Sequence, residues 1–73
     1  MNKNIDAVHV IPHPKGIWSV RFNNRLKTFR TFEVEADAIE FTLWYAFMNK
    51  IPAVVLHDHS GMIYRVFKQE EVK

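Results

Sequence analysis

Large apolar residues alternate with polar ones along Ile17-Trp18-Ser19-Val20-Arg21-Phe22. That period of two is what a half-buried strand requires, so Trp18, Val20 and Phe22 are expected to face a core, with Ser19 and Arg21 on the opposite face. Ahead of it, Val8, Val10 and Ile11 are β-branched, and Pro12-His13-Pro14-Lys15-Gly16 has the composition of a turn. The two stretches therefore predict a hairpin with strands near 7–13 and 17–23. Asn23-Asn24 signals a second turn, because Asn tolerates positive φ, and a third strand is expected over 26–32. Val34 to Lys50 contains neither Gly nor Pro, and Glu33, Glu35, Asp37 and Glu40 gather where a helix dipole favours negative charge. This predicts one helix over 34–49, ended by Lys50 and Pro52. Strands near 53–57 and 62–67 flank the turn Asp58-His59-Ser60-Gly61. The expected fold is α+β: an antiparallel sheet with one helix packed on one face, in the order βββαββ. Trp18, Val20, Phe22, Phe29, Ile39, Ala46, Val54 and Ile63 are expected to be mainly buried.

The helix has no polar side. At 3.6 residues per turn, Ala38, Ile39, Thr42, Tyr45, Ala46 and Asn49 share one side, while Glu40, Trp44, Phe47 and Ile51 point roughly opposite. If the small residues meet the sheet, the bulky ones face outward and form a contact surface, with Leu43, Trp44 and Phe47 at its centre and Phe41 and Met48 at its edge. The alternative is that Phe41, Trp44, Tyr45 and Met48 pack on the sheet and the small residues see solvent. Size sharpens the question. A chain of 73 residues that is 48% hydrophobic and 14% aromatic buries about 60% of its unfolded surface, so one domain over 1–73, ordered from about 6 to 68, holds more apolar side chains than its interior accommodates. A protein partner is therefore expected, most simply a second copy in a homodimer.

Charge offers a second function. The net charge is +2, yet no acidic residue occurs from Ala7 to Phe32, where Lys15, Arg21, Arg25, Lys27 and Arg30 are found. Arg21, Arg30 and Arg65, aided by Lys27, are expected to share an exposed sheet face that would bind nucleic-acid phosphates. Against this stand the absence of a run of stacking aromatics on that face and the acidic start of the helix; a mixed polar sheet face is also ordinary solvation.

Catalysis finds no constellation. Four histidines, His9, His13, His57 and His59, raise a metal hypothesis, but Asp58 and His59 fall in a turn and no fourth ligand is placed to complete a set. Ser60, His57 and Asp58 are neighbours in sequence, which is not the orientation a triad needs. The two glycines, Gly16 and Gly61, sit in separate turns rather than in a phosphate loop. The expectation is a non-catalytic module with no metal and no cofactor. With no cysteine, no apolar run long enough for a bilayer and no apolar leader at Met1-Asn2-Lys3-Asn4-Ile5-Asp6, a cytoplasmic location is expected.

His9-Val10-Ile11-Pro12-His13-Pro14-Lys15-Gly16-Ile17-Trp18-Ser19-Val20 resembles the opening of a family of small bacterial domains of unknown function, which reads His-Val-x-Pro-x-Pro-x-Gly-x-Trp-x-Val. The likeness continues through Phe32 and Glu33, Ala38-Ile39-Glu40, and His57 with Gly61 before Ile63. It implies the strand order above and no activity. Such domains read Ala-Ile-Glu-x-Ala-Arg-x-Leu-Ala-x-x-x-Gly through the helix. Here Leu43, Trp44 and Phe47 stand where charged or polar residues would be expected.

Overall fold

The computed structural model describes residues 7–22 and 28–68. Along the chain run β1 (Ala7–Pro12), β2 (Trp18–Phe22), β3 (Arg30–Phe32), α1 (Glu35–Met48), β4 (Ala53–His57) and β5 (Ile63–Lys68). In space they form a five-stranded sheet in the order β3-β2-β1-β4-β5. The fold is α+β, but the sheet is mixed rather than antiparallel. β1 pairs antiparallel with β2 and parallel with β4, through Ala7↔Ala53 to Val10↔Leu56. The reason is the helix: after it crosses the sheet, the chain re-enters running in the same direction as β1, the connection a parallel pair needs.

The helix lies across one face of β1 to β4. Its contact residues are small: Ala38, Thr42 and Ala46 are the buried positions of α1, spaced four apart on one stripe. Thr42 is fully buried, and its hydroxyl donates to the Ala38 carbonyl one turn earlier, satisfying the polar atom within the helix. Beneath this stripe lie Val8 and Val10 of β1, Val20 and Phe22 of β2, and Val54 and Leu56 of β4. The close approach that alanines allow explains how a short helix seals this core.

Burial departs from expectation at four positions. Val20, Phe22, Ala46 and Val54 are buried, whereas Trp18 and Ile39 are half-buried, Phe29 is 43% exposed and Ile63 is 56% exposed. Phe29 precedes β3, which begins at Arg30 rather than at Leu26 as expected; residues 23–27 lie outside the described residues. Ile63 is displaced by a shift of register between β4 and β5. Leu56 pairs with Arg65 and His57 with Ile63, so Tyr64 is left over as the extra residue. Ile63 therefore takes the face of His57, away from the helix. Tyr64 donates to Glu35 Oε2 at 2.7 Å instead, tying the start of β5 to the start of α1.

The helix ends at Met48, with no basic residue in its last turn. Ile51 N–H bonds to the Ala46 carbonyl at 2.9 Å and Lys50 N–H to the Phe47 carbonyl at 3.4 Å. This is the Schellman pattern, whose left-handed position is usually glycine. Here Lys50 occupies it with φ 56. Ile51, buried at 4% exposure, supplies the apolar contact that accompanies such an ending. Lys50→Gly is expected to raise stability by about 0.5–1 kcal/mol, the relief of the left-handed strain less the entropy glycine adds to the unfolded chain. A higher urea midpoint at unchanged slope is the result that shows it.

Candidate interaction surface

With Ala38, Thr42 and Ala46 turned to the sheet, the helical period leaves the large side chains outside. Trp44 is 57% exposed, Phe47 66%, Met48 57% and Leu43 37%. Phe41 is half-buried. The small-inward arrangement therefore holds, and the alternative in which Trp44 and Met48 pack on the sheet does not. Phe41 and Tyr45 divide the difference. They lean onto the β2–β3 side, where Phe41 stacks at 5.7 Å on Tyr45 and meets Phe32 at 5.4 Å, and Tyr45 meets Phe22 at 5.8 Å. Trp44 continues this cluster outward at 6.2 Å from Phe41. Ring pairs at such separations contribute about 0.5–1.5 kcal/mol each beyond area burial.

On its other flank the helix stops short of β5. The gap is a groove of about 290 Å³, with Leu43 and Phe47 on one wall, Phe67 on the other, and Ile51 and Val54 among the residues that line it. An apolar surface thus runs from Phe67 through the groove and over the outer side of α1. The charges at its ends differ: Glu35 and Asp37 occupy the first helical turn, while Lys50 and Lys68 stand at the far end.

The arginines do not share a face. Val20 pairs with Arg30, and Leu56 with Arg65, so both guanidiniums lie on the helix side of the sheet, at opposite edges. Arg30 sits over the Phe41 ring at 4.9 Å and Arg65 over the Phe67 ring at 4.9 Å. Arg21 pairs with His9 and lies on the other face. Lys27 lies outside the described residues. The expected basic platform is therefore broken up, and two of its arginines are engaged by aromatic faces, a use their delocalised charge favours.

The histidines separate as well. His59 meets Trp18 edge-on at 5.5 Å, while His57 turns to His9, with 2.9 Å between His9 Nδ1 and His57 Nε2. That contact was not legible along the chain, because it depends on β1 lying parallel to β4. Among the described residues no three His, Cys, Asp or Glu side chains gather as a metal site, and no helix is long and apolar enough to cross a membrane. Asp58 is a turn residue. Its Oδ1 accepts from Ser60 N at 2.9 Å, Ser60 Oγ at 2.7 Å and Met62 N at 3.1 Å. The Ser60 hydroxyl is the main cause holding its carboxyl below the usual value. Compared with models of protein families, with curated proteins and with solved structures, the chain matches none.

Proposed function

We propose that this protein is a non-catalytic interaction module that associates with a second copy of itself through the outer side of α1 and the adjoining groove. The observation that carries the reading is the inversion of the helix, with alanines against the sheet and Trp44, Phe47 and Met48 in solvent. A contiguous apolar surface of this kind on a small domain marks an interface. A second copy suits it by charge. Two such helices packed antiparallel about a two-fold axis near Trp44 set the acidic first turn of each, with Glu35 and Asp37, toward Lys50 of the other.

Light scattering coupled to size exclusion, run across a dilution series, tests it. A dimer mass that falls to the monomer on dilution is expected, with a midpoint that moves little when salt is added, because apolar burial dominates the contact. A monomer at every concentration would sink the reading. In the dimer, Trp44→Ala is expected to weaken association by about thirtyfold, corresponding to about 2 kcal/mol for a buried aromatic anchor.

A further inference from the structure

The sheet face turned away from α1 carries a contact with its own chemistry. His9 of β1 and His57 of β4, both half-buried, meet there with 2.9 Å between His9 Nδ1 and His57 Nε2. In the parallel register His9 pairs with Val55, and His57 lies two residues farther along β4, just beyond the last pair, Val10 with Leu56. Two residues along a strand return to the same face, so the rings close the end of the β1–β4 seam. His57 reaches the hairpin turn as well, since its Nδ1 is 3.2 Å from the Gly61 carbonyl oxygen. The register of β4 against β5 shifts between Leu56 and His57. The rings thus bridge the sheet where its backbone ladder is irregular.

Counting hydrogens decides what this contact tolerates. A carbonyl can only accept, so His57 Nδ1 carries a hydrogen, and in the neutral ring Nε2 is the acceptor. His9 Nδ1 is then the donor across the 2.9 Å contact, which leaves the lone pair of neutral His9 on Nε2. One added proton is accommodated, because with either ring charged one hydrogen can still lie between the two facing nitrogens. A second is not. Both facing nitrogens then carry hydrogens, the bond is lost, and two imidazolium charges meet at contact distance.

The surroundings add positive charge. Arg21 of β2 is the register partner of His9 on this face, and Lys68 of β5 lies farther out on it, beside Ala53. From the β4–β5 turn, His59 is turned to Trp18, and the Asp58 carboxylate is taken up by Ser60 and Met62. β1 adds Ala7 and Ile11 and β3 adds Thr31 to this face, Tyr64 of β5 is turned to Glu35, and α1 packs on the other face. The remaining described carboxylates lie in α1 or just before it at Glu33.

We infer that the His9–His57 contact is an acid-sensitive latch, closed while the pair holds no more than one added proton and opened by a second, which frees the β4–β5 turn from β1. His9 is held below the usual imidazole value, first by burial, then by His57 and by Arg21. A base depressed in this way stabilises the fold fully above its ordinary value, and that contribution is lost as pH falls from there through the lower folded value. The latch is therefore closed at neutral pH and opens in acid. It lies on the face opposite the helix surface and does not rest on the association reading.

Urea unfolding at one fixed protein concentration, compared between about pH 7.5 and about pH 5, is the first measurement. The folding equilibrium constant is expected to fall about fivefold, the change that matches loss of one ordinary hydrogen bond. His9→Asn keeps a donor near the position of Nδ1 and His57→Gln an acceptor near that of Nε2, and neither amide takes up a proton in this range. Both should flatten the profile. His13→Gln, in the exposed β1–β2 turn, should leave it as it is in the parent. Hydrogen exchange in the parent protein locates the response, and it serves equally if a variant fails to fold. After correction for the intrinsic rate, amides of the β1–β4 ladder are expected to lose protection in acid while those of the β1–β2 ladder keep theirs. A flat parent profile, an acid loss that survives both substitutions, or equal loss of protection in the two ladders overturns the latch.

Discussion

The double variant Trp44→Glu, Phe47→Glu is expected to be a monomer with an unchanged sheet. Both side chains are more than half exposed in the single chain, so their removal takes little from the fold. At an interface, two aromatic anchors of about 2 kcal/mol each amount to roughly a thousandfold in dissociation constant, before the repulsion of four buried carboxylates in the dimer is added. Light scattering gives the mass, and circular dichroism with thermal melting reports the fold. If the double variant unfolds while the parent is already monomeric at high concentration, Trp44 belongs to the stabilising core and the interface reading fails.

Ala38→Leu is expected to do the reverse, damaging the fold and leaving the outer surface as it is. Ala38 is fully buried where α1 meets the sheet, and a leucine there has no room unless the helix lifts. Overpacking of this kind costs about 1–3 kcal/mol, which lowers the melting temperature by about 4–8 °C per kcal/mol in a domain of this size. Urea unfolding is the measurement. A cost below about 0.5 kcal/mol would mean that the helix can move away from the strands without loss, contrary to a stripe of alanines fitted closely to them.

Comparing these two substitutions shows what could be read in advance. The α1 wheel put Ala38, Thr42 and Ala46 on one side, with Ile39 and Tyr45 beside them, but left open whether that side or the bulky one meets the sheet; burial of the three small residues decides it. Alternation in β2 likewise placed Val20 and Phe22 in the core, where they are found. What failed depended on parity across strands whose limits the sequence left open. Counting from Phe29 assigned Arg30 to the outer face, but β3 begins at Arg30, so Arg30 and Phe32 share the helix side. In β5 the extra residue Tyr64 reverses the parity between Ile63 and Arg65, and no residue type in Ile63-Tyr64-Arg65-Val66 announces a bulge. The antiparallel reading failed for a further reason. Turn-rich links made each strand look like the partner of its sequence neighbour, whereas β1 accepts a second partner from beyond the helix. The contact between His9 and His57, on the sheet face away from α1, follows from that one long-range pairing.

The position of β1 also bears on how the molecule is made. The first strand synthesised is the centre of the sheet, and it waits with one side unpaired while β2, β3 and α1 are added. The hairpin of β1 and β2 closes early because its link is short. The seam between β1 and β4 joins residues 46 positions apart, Ala7 with Ala53, so loop closure over that length precedes the reward of pairing. During that interval the backbone of Ala7 to Val10, carrying two core valines, is an open template for another nascent chain. Synthesis halted before β4 would accordingly leave no smaller version of this domain. It would leave a sticky hairpin, and the last third of the chain acts as the element that makes the first strand safe.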